Sequence, residues 1–305
     1  MRLVHRLFLA LCAFSATRTF AAAPQTLLLA GAFAGNAIVA VGERGTLLRS
    51  TSEGREWQPI STNVSATLTA VTFAPDHQHG WAVGHEGVIL GTTDGGSTWK
   101  RLAADNPAED SFLDVLALDA THVIAVGAYG LFAETRDGGA TWEHRRVSES
   151  DTHFNRLVAG PGGSLLLAGE SGTLLRSTDR GATWQPLTAP SAGSLYGVLA
   201  LDEHTLVAHG LRGRAFRSED AGITWHELTT GSTALLAAGI SLRDGAIVLA
   251  GSSRTVALSR DGARSFQPIE VSLPGAVAAV LELPDRSLLV LGEAGATTLR
   301  LPPSP

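Results

Sequence analysis

Glycine pairs three residues apart return along this chain at a nearly constant interval, and no other feature limits its possible folds as strongly. The pairs are Gly42 and Gly45, Gly84 and Gly87, Gly127 and Gly130, Gly169 and Gly172, Gly210 and Gly213, and Gly292 and Gly295, with Gly251 and Arg254 in the sixth place. Successive first glycines are 42, 43, 42, 41, 41 and 41 residues apart, which gives seven units. An aromatic keeps step: Trp57, Trp99, Trp142, Trp184, Trp225 and Phe266 each fall twelve residues after the second glycine position.

Within a unit the apolar runs are strand-length and bounded by turns, as in "LTAVTF", "GWAVG", "GVILGTT" and "TWKRL". None keeps a 3.6-residue period over a dozen residues, so helix is not the reading. A 42-residue period with four short strands predicts an all-β chain, a seven-bladed β-propeller with four-stranded blades. Ring closure has a physical motive: a small sheet has two apolar faces, and a neighbour on each side covers both. The seventh unit ends at "ATTLRLPPSP" with no obvious outer strand, so the last blade is expected either to have three strands or to draw on residues around Pro24.

Between the third and fourth strands lies a repeated turn: "TTDGGSTW", "TRDGGATW", "STDRGATW" and "SEDAGITW". Its Asp (Asp94, Asp137, Asp179, Asp220) is placed to accept from turn amides, its Gly (Gly96, Gly139, Gly181, Gly222) to take a positive φ, and its Trp (Trp99, Trp142, Trp184, Trp225) to pack between blades. A group needed once for chemistry would not recur in every blade, so the turn reads as a structural clip. The motif also decays as a scaffold tolerates, with Ser52 replacing Asp in unit one and "SRDGARSF" in unit six. Acids spread over separate blades do not make a calcium loop.

Residues 1–23 have the layout of a secretory signal peptide: a basic "MRLVHR", an apolar run from Leu7 to Ala16, and small residues before a cut near Ala22 or Ala23. The run is too short to span a bilayer, and Leu11 before Cys12 is not the small residue a lipidation signal wants. Residues 24–305 then form one propeller domain without cysteine, so disulfides play no part in its stability. Removing Arg2, Arg6 and Arg18 leaves 20 basic against 29 acidic residues, a formal charge of −9. With Lys100 the one lysine, nucleic acid is not an expected partner. The expected address is the periplasm or the exterior.

The S/T-x-D-x-G-x-T-W element is the Asp-box, or BNR repeat, and together with "VGxxG" and "LLRST" the chain resembles the photosystem II assembly and stability factors of the Ycf48 and HCF136 family over residues 25 to 301. The resemblance implies a seven-bladed, non-enzymatic assembly factor on the outer side of a membrane, with the boxes on the face opposite the usual ligand side. Its expected partner is a membrane protein or membrane-associated complex, and it implies no cofactor.

Antiparallel order puts the glycine turns and the blade-to-blade crossovers on that other face. Candidate contacts there are Arg44, His85, Glu86, Tyr129 and Arg212 from the turns, with Glu43, Glu170 and Glu293 beside them. The crossovers add Asp105, Glu109, Asp110, Arg145, Arg146, Glu149, Asp151 and His153. Arg44, Arg145, Arg146 and Arg212 suit charge-assisted contacts to an acidic segment, and Glu86, Asp110 and Glu149 the reciprocal ones. Two alternatives are weighed against this scaffold: a glycan-binding propeller and a sialidase-like glycoside hydrolase. The hydrolase would need a tyrosine nucleophile, for which only Tyr129 and Tyr196 are available, and three arginines around a carboxylate. A two-carboxylate glycosidase using Glu86 and Glu170 has no spacing to support it. His77 and His79 are separated from His85 by a strand of five residues, about 16 Å, too far to share one metal. No catalytic, metal-binding or cofactor-binding residue is therefore assigned.

Overall fold

The computed structural model describes residues 25–102 and 110–303. The expected leader, Cys12, Asp105 and Glu109 lie outside the described residues. The first blade shows how each is made: β1 (Leu28–Ala34) pairs antiparallel with β2 (Ala37–Gly42), which pairs with β3 (Leu47–Ser50), which pairs with the two-residue β4 (Gln58–Pro59). Five further sheets repeat this order, giving six of four strands. The seventh has three, Val277–Glu282, Leu288–Gly292 and Gly295–Leu299. The first strand of each unit is innermost, and β1 packs against Val277–Glu282 to close the ring.

Burial follows from this radial layout. Second strands such as AIVAVG and VIAVG are buried at every position because both sheet faces meet a neighbouring blade. The apolar clusters accordingly span pairs of blades: Trp57 of blade one packs with Leu289 and Leu291 of blade seven, and Trp142 of blade three with Trp81 and Ile89 of blade two. In the last blade, Leu299 and Leu301 pack against the cluster shared with blade six, and the Arg260 guanidinium donates to the Pro302 carbonyl at 2.7 Å.

The first glycine of each pair is required by contact rather than by φ. At that point the inner strand carries a bulge that brings its backbone over the end of the second strand. A β-carbon on Gly127 would stand 2.1 Å from the Ser111 carbonyl oxygen, and one on Gly251 would stand 1.8 Å from that of Leu235.

The Asp-boxes form the expected clip, and the structure gives the Ser or Thr at the first position a part in it. In blade two Asp94 accepts from the Thr98 amide at 2.9 Å and the Thr98 hydroxyl at 2.6 Å. The Thr92 hydroxyl, at the box's first position, donates to Asp94 at 2.8 Å while receiving the Gly96 amide at 3.2 Å. Ser or Thr in that first place is thus a working part of the turn, repeated at Thr135, Ser177, Ser218 and Ser259. The box is also a socket for the preceding blade: Arg49 donates to the Gly95 carbonyl at 3.0 Å, Trp81 to Gly138 at 3.1 Å, Arg145 to Gly181 at 2.7 Å and Arg217 to Gly262 at 3.1 Å.

These bonds make stability depend on pH with a definite sign. The Thr141 amide, the Thr141 hydroxyl and the Thr135 hydroxyl hold Asp137 at about 2, and the hydroxyls of Thr183 and Thr224 lead the groups that hold Asp179 and Asp220 at about 2. A carboxyl depressed by folding stabilises above its unfolded value, near 4, and loses that contribution as pH falls toward 2. His209 acts at higher pH: burial lowers it to about 4, so the unfolded chain binds more protons below about 6.5 and stability falls from there to about 4. Buried Asp114, pushed up by desolvation, contributes with the opposite sign. Urea midpoints measured across pH should fall in two stages, and His209→Gln should flatten the first while leaving the second. An unchanged first stage in that variant would refute the assignment.

Candidate interaction site

The glycine turns combine a constant backbone with variable side chains. Their central residue is left-handed in six blades: Arg44 (φ 54°), Glu86 (56°), Tyr129 (54°), Ser171 (54°), Arg212 (59°) and Ser253 (54°). Such a conformation costs an ordinary residue on the order of 1 kcal/mol. Six repetitions make it a property of the turn, and what varies is the group presented at the face.

The residue before it has a different job. Glu43 accepts from the Leu27 amide at 3.1 Å, Glu170 from His153 at 3.2 Å and Glu293 from Ala276 at 3.2 Å, each tying down the crossover where it enters an inner strand. The three carboxylates thus satisfy backbone donors of the crossovers. In blade three this place is taken by Ala128, and beside it Tyr129 is 75% exposed with its ring edge-on to His153 at 4.7 Å.

Around Tyr129 the structure gathers several of the expected residues. Asp110 lies 3.0 Å from His144, and His85 reaches the neighbouring Ser111 hydroxyl at 2.7 Å. Arg146 donates to the carbonyls of Ser148 at 2.9 Å and Glu149 at 2.6 Å and stands 3.4 Å from Asp151, so its crossover holds the guanidinium in place while 63% of the side chain stays exposed. Asp110, Tyr129, His144, Arg146 and Asp151 line a groove of about 460 Å³. Glu149 lines the adjoining groove of about 620 Å³ with Arg146 and Trp184.

The four arginines expected to meet an acidic segment come from three different blades. Arg44 and Arg212 stand on the turns of blades one and five, and Glu86 on that of blade two. Arg145 turns inward, its guanidinium 2.6 Å from Glu134 and donating to the carbonyls of Gly181 and Ala182. It latches blade three to blade four, because the buried Glu134 carboxylate needs cations and the next Asp-box offers carbonyls. Glu134 also meets His122 at 2.7 Å and Arg136 at 2.6 Å.

Polar groups near the axis went unnoticed in the sequence. Asp114 on an inner strand accepts the Leu157 amide at 2.8 Å, with Arg156 at 3.7 Å. The Nδ1 of buried His209 is 3.0 Å from the Leu236 carbonyl, in space that Gly197 and Gly239 leave open. The available signal was an isolated polar residue inside an otherwise apolar strand run, "FLDVLA" and "LVAHG". Tyr196 is half-buried. Among the described residues no group of three or more His, Cys, Asp or Glu is placed to hold a metal ion, and no helix is long and apolar enough to cross a membrane.

Comparison with known proteins bears on this architecture. Among curated proteins, the photosystem II assembly lipoprotein Ycf48 of a Prochlorococcus marinus strain is 37% identical over 159 residues, 50% of this chain and 45% of that protein. Ycf48 of a Picosynechococcus strain is 38% identical over 61 residues, 20% of this chain and 18% of that protein. The chain thus spans less than half the length of these relatives. Two solved structures share the fold: "YCF48 bound to D1 peptide", with a TM-score of 0.75 at 22% identity over 91% of this chain and 94% of that one, and YCF48 from Cyanidioschyzon merolae, with 0.75 at 16% over 91% and 96%. The WD40 propeller of Doa1 follows at 0.73 and 13% identity over 92% and 94%. The sequence profile described as photosynthesis system II assembly factor YCF48 matches residues 49–112 and 102–262, well over half of the sequence, and the chain belongs to that family.

Proposed function

We propose that the protein is a non-enzymatic scaffold that binds a membrane protein or membrane-associated complex on the periplasmic side, through the crossover face around Tyr129 and Arg146. The observation that carries this reading is the exposure of Tyr129, a large aromatic held at the tip of a rigid turn above a groove with a fixed arginine at its edge. Aromatic and arginine side chains on a preorganised surface are the usual anchors of protein recognition. One structurally similar protein of the same family was solved with a D1 peptide, which supports a peptide segment as the kind of ligand. The periplasmic address rests on the leader read in residues 1–23, removed near Ala22 or Ala23.

Crosslinking in the native host followed by affinity purification tests the proposal. Wild-type protein is expected to retain one membrane assembly, and Tyr129→Ala with Arg146→Ala to lose about ten-fold of it at an unchanged melting temperature, since each removes an interface anchor. Equal recovery by both proteins, or no specific assembly with either, would refute it.

A further inference from the structure

Six of the seven blades finish their outer side in the same way, with a fourth strand beside the third. On the third strand, the residue paired with the one before the turn's first glycine is Leu47, Ile89, Phe132, Leu174, Ala215 or Val256. Ala215 pairs with Leu228 of the fourth strand, and in the other five the carbonyl receives the amide of the residue just past that strand at 2.9 or 3.0 Å. These six residues and the six that follow them are buried. In blade seven the same register falls on Ala296, paired with Leu291, and no fourth strand stands beside it among the described residues. Ala296 and Thr297 are half-buried and Thr298 is exposed. The chain beyond turns away: Leu299 and Leu301 pack on the cluster shared with blade six, and the Pro302 carbonyl accepts from Arg260.

The strand Gly295–Leu299 therefore keeps one edge of backbone groups without a ladder. Alternation along an antiparallel strand puts the outward N–H and C=O on every second residue, here Ala296 and Thr298. Natural sheet edges are blunted by a charge, a proline or a bulge, because a bare edge is a template for pairing with another chain. This edge has none of the three: its residues are Gly-Ala-Thr-Thr-Leu, and its ladder to Leu288–Gly292 runs through five pairs without a register shift. Its two ends carry opposite charge, with Glu293 before it and Arg300 after it, the latter exposed beside Asp285.

We propose that this edge pairs antiparallel with the same edge of a second copy of the chain, about a two-fold axis at Thr297. Such an isologous pairing is self-complementary: Ala296 of each copy exchanges hydrogen bonds with Thr298 of the other, about four in all, and joins the two three-stranded sheets into one. Thr297 then faces Thr297 of the second copy, a favourable cross-strand pair. Charge complementarity sets the direction. Antiparallel strands bring the Glu293 end of one copy beside the Arg300 end of the other, whereas parallel strands would set like beside like. Pairing there does not depend on what the crossover face binds. Blade three stands across the ring from blade seven, so the groove beneath Tyr129 stays open in both copies.

Sedimentation of the chain without its leader, over a series from micromolar to millimolar concentration, tests the proposal. A monomer–dimer equilibrium is expected, and Thr298→Pro should raise its dissociation constant about 10-fold or more, because each copy loses a donor to the other. That amide points away from Leu288–Gly292, so the melting temperature of the dilute monomer should not change. Cysteine substitution reads the register. The chain without its leader has no cysteine, and Thr297→Cys treated with diamide should form a disulfide-linked dimer, since facing residues of a non-hydrogen-bonded pair stand about 4.5 Å apart at Cα. Thr298→Cys, set opposite Ala296, should not. A chain that stays monomeric through the series, a dimer that survives Thr298→Pro, or Thr298→Cys crosslinking as readily as Thr297→Cys would overturn the proposal. Slow hydrogen exchange of the Thr298 amide in a monomer would overturn it too, because the chain's own residues would then hold the edge.

Discussion

Glu134→Ala is expected to destabilise the propeller by about 3–5 kcal/mol, the range for removing one partner from a buried ion-pair network. Glu134 is 6% exposed, and three cationic or basic groups converge on its carboxylate: Arg145 and Arg136, each at 2.6 Å, and His122 at 2.7 Å. Without it the buried part of Arg145 keeps only carbonyl acceptors, and the latch from blade three to the blade-four box loses the charge that aims it. Glu134→Gln, which retains the shape and one acceptor, should lose less. Glu134→Ala with Arg145→Ala should recover part of the deficit, because it removes the stranded charge as well as its partner. Denaturant midpoints for the four proteins decide the matter: a loss below about 1 kcal/mol in Glu134→Ala would mean that the network contributes no more than an exposed pair.

Gly251→Ala is expected to cost about 3 kcal/mol, at the upper end for overpacking, since the obstacle is backbone rather than a side chain that can rotate away. The added methyl would lie 1.8 Å from the Leu235 carbonyl oxygen and 2.9 Å from the Ala237 amide nitrogen. Relief requires the bulge at the start of the inner strand to open, and that bulge sets how the crossover enters the ring. Gly245→Ala is an informative control. Gly245 has φ 84° but nothing within 4 Å of its β-carbon site, so it reports the conformational cost alone, about 1 kcal/mol. A thermal midpoint for Gly251→Ala no lower than that of Gly245→Ala would show that the contact can relax.

The two variants separate what was readable from what was not. The glycine interval is visible in the chain because the same obstruction recurs in each blade: Gly42, Gly127 and Gly251 all face a carbonyl of the incoming strand. The box Asp was visible for the same reason, and so was the Ser or Thr two residues before it, whose bonds to the carboxylate and to the glycine amide only the folded turn displays. Glu134 carried no comparable signal. Its position on the third strand is held by Arg49, Arg176 and Arg217 in other blades, and nothing local says that the cation will come from Arg145, just past the following strand.

The blade count, the strand order within a blade and the role of the Asp-boxes were determined by the sequence alone, because a repeated unit must satisfy the same short-range steric and hydrogen-bonding demands seven times, and those demands leave a period. Which polar side chains remain available to a partner was decided only by the tertiary structure. Arg145 and Arg146 are neighbours of the same type, yet one is drawn between blades by Glu134 and two carbonyls while the other stands at the edge of a groove. The difference comes from contacts between blades, which form only when the ring closes, and a pattern within one repeat does not encode them.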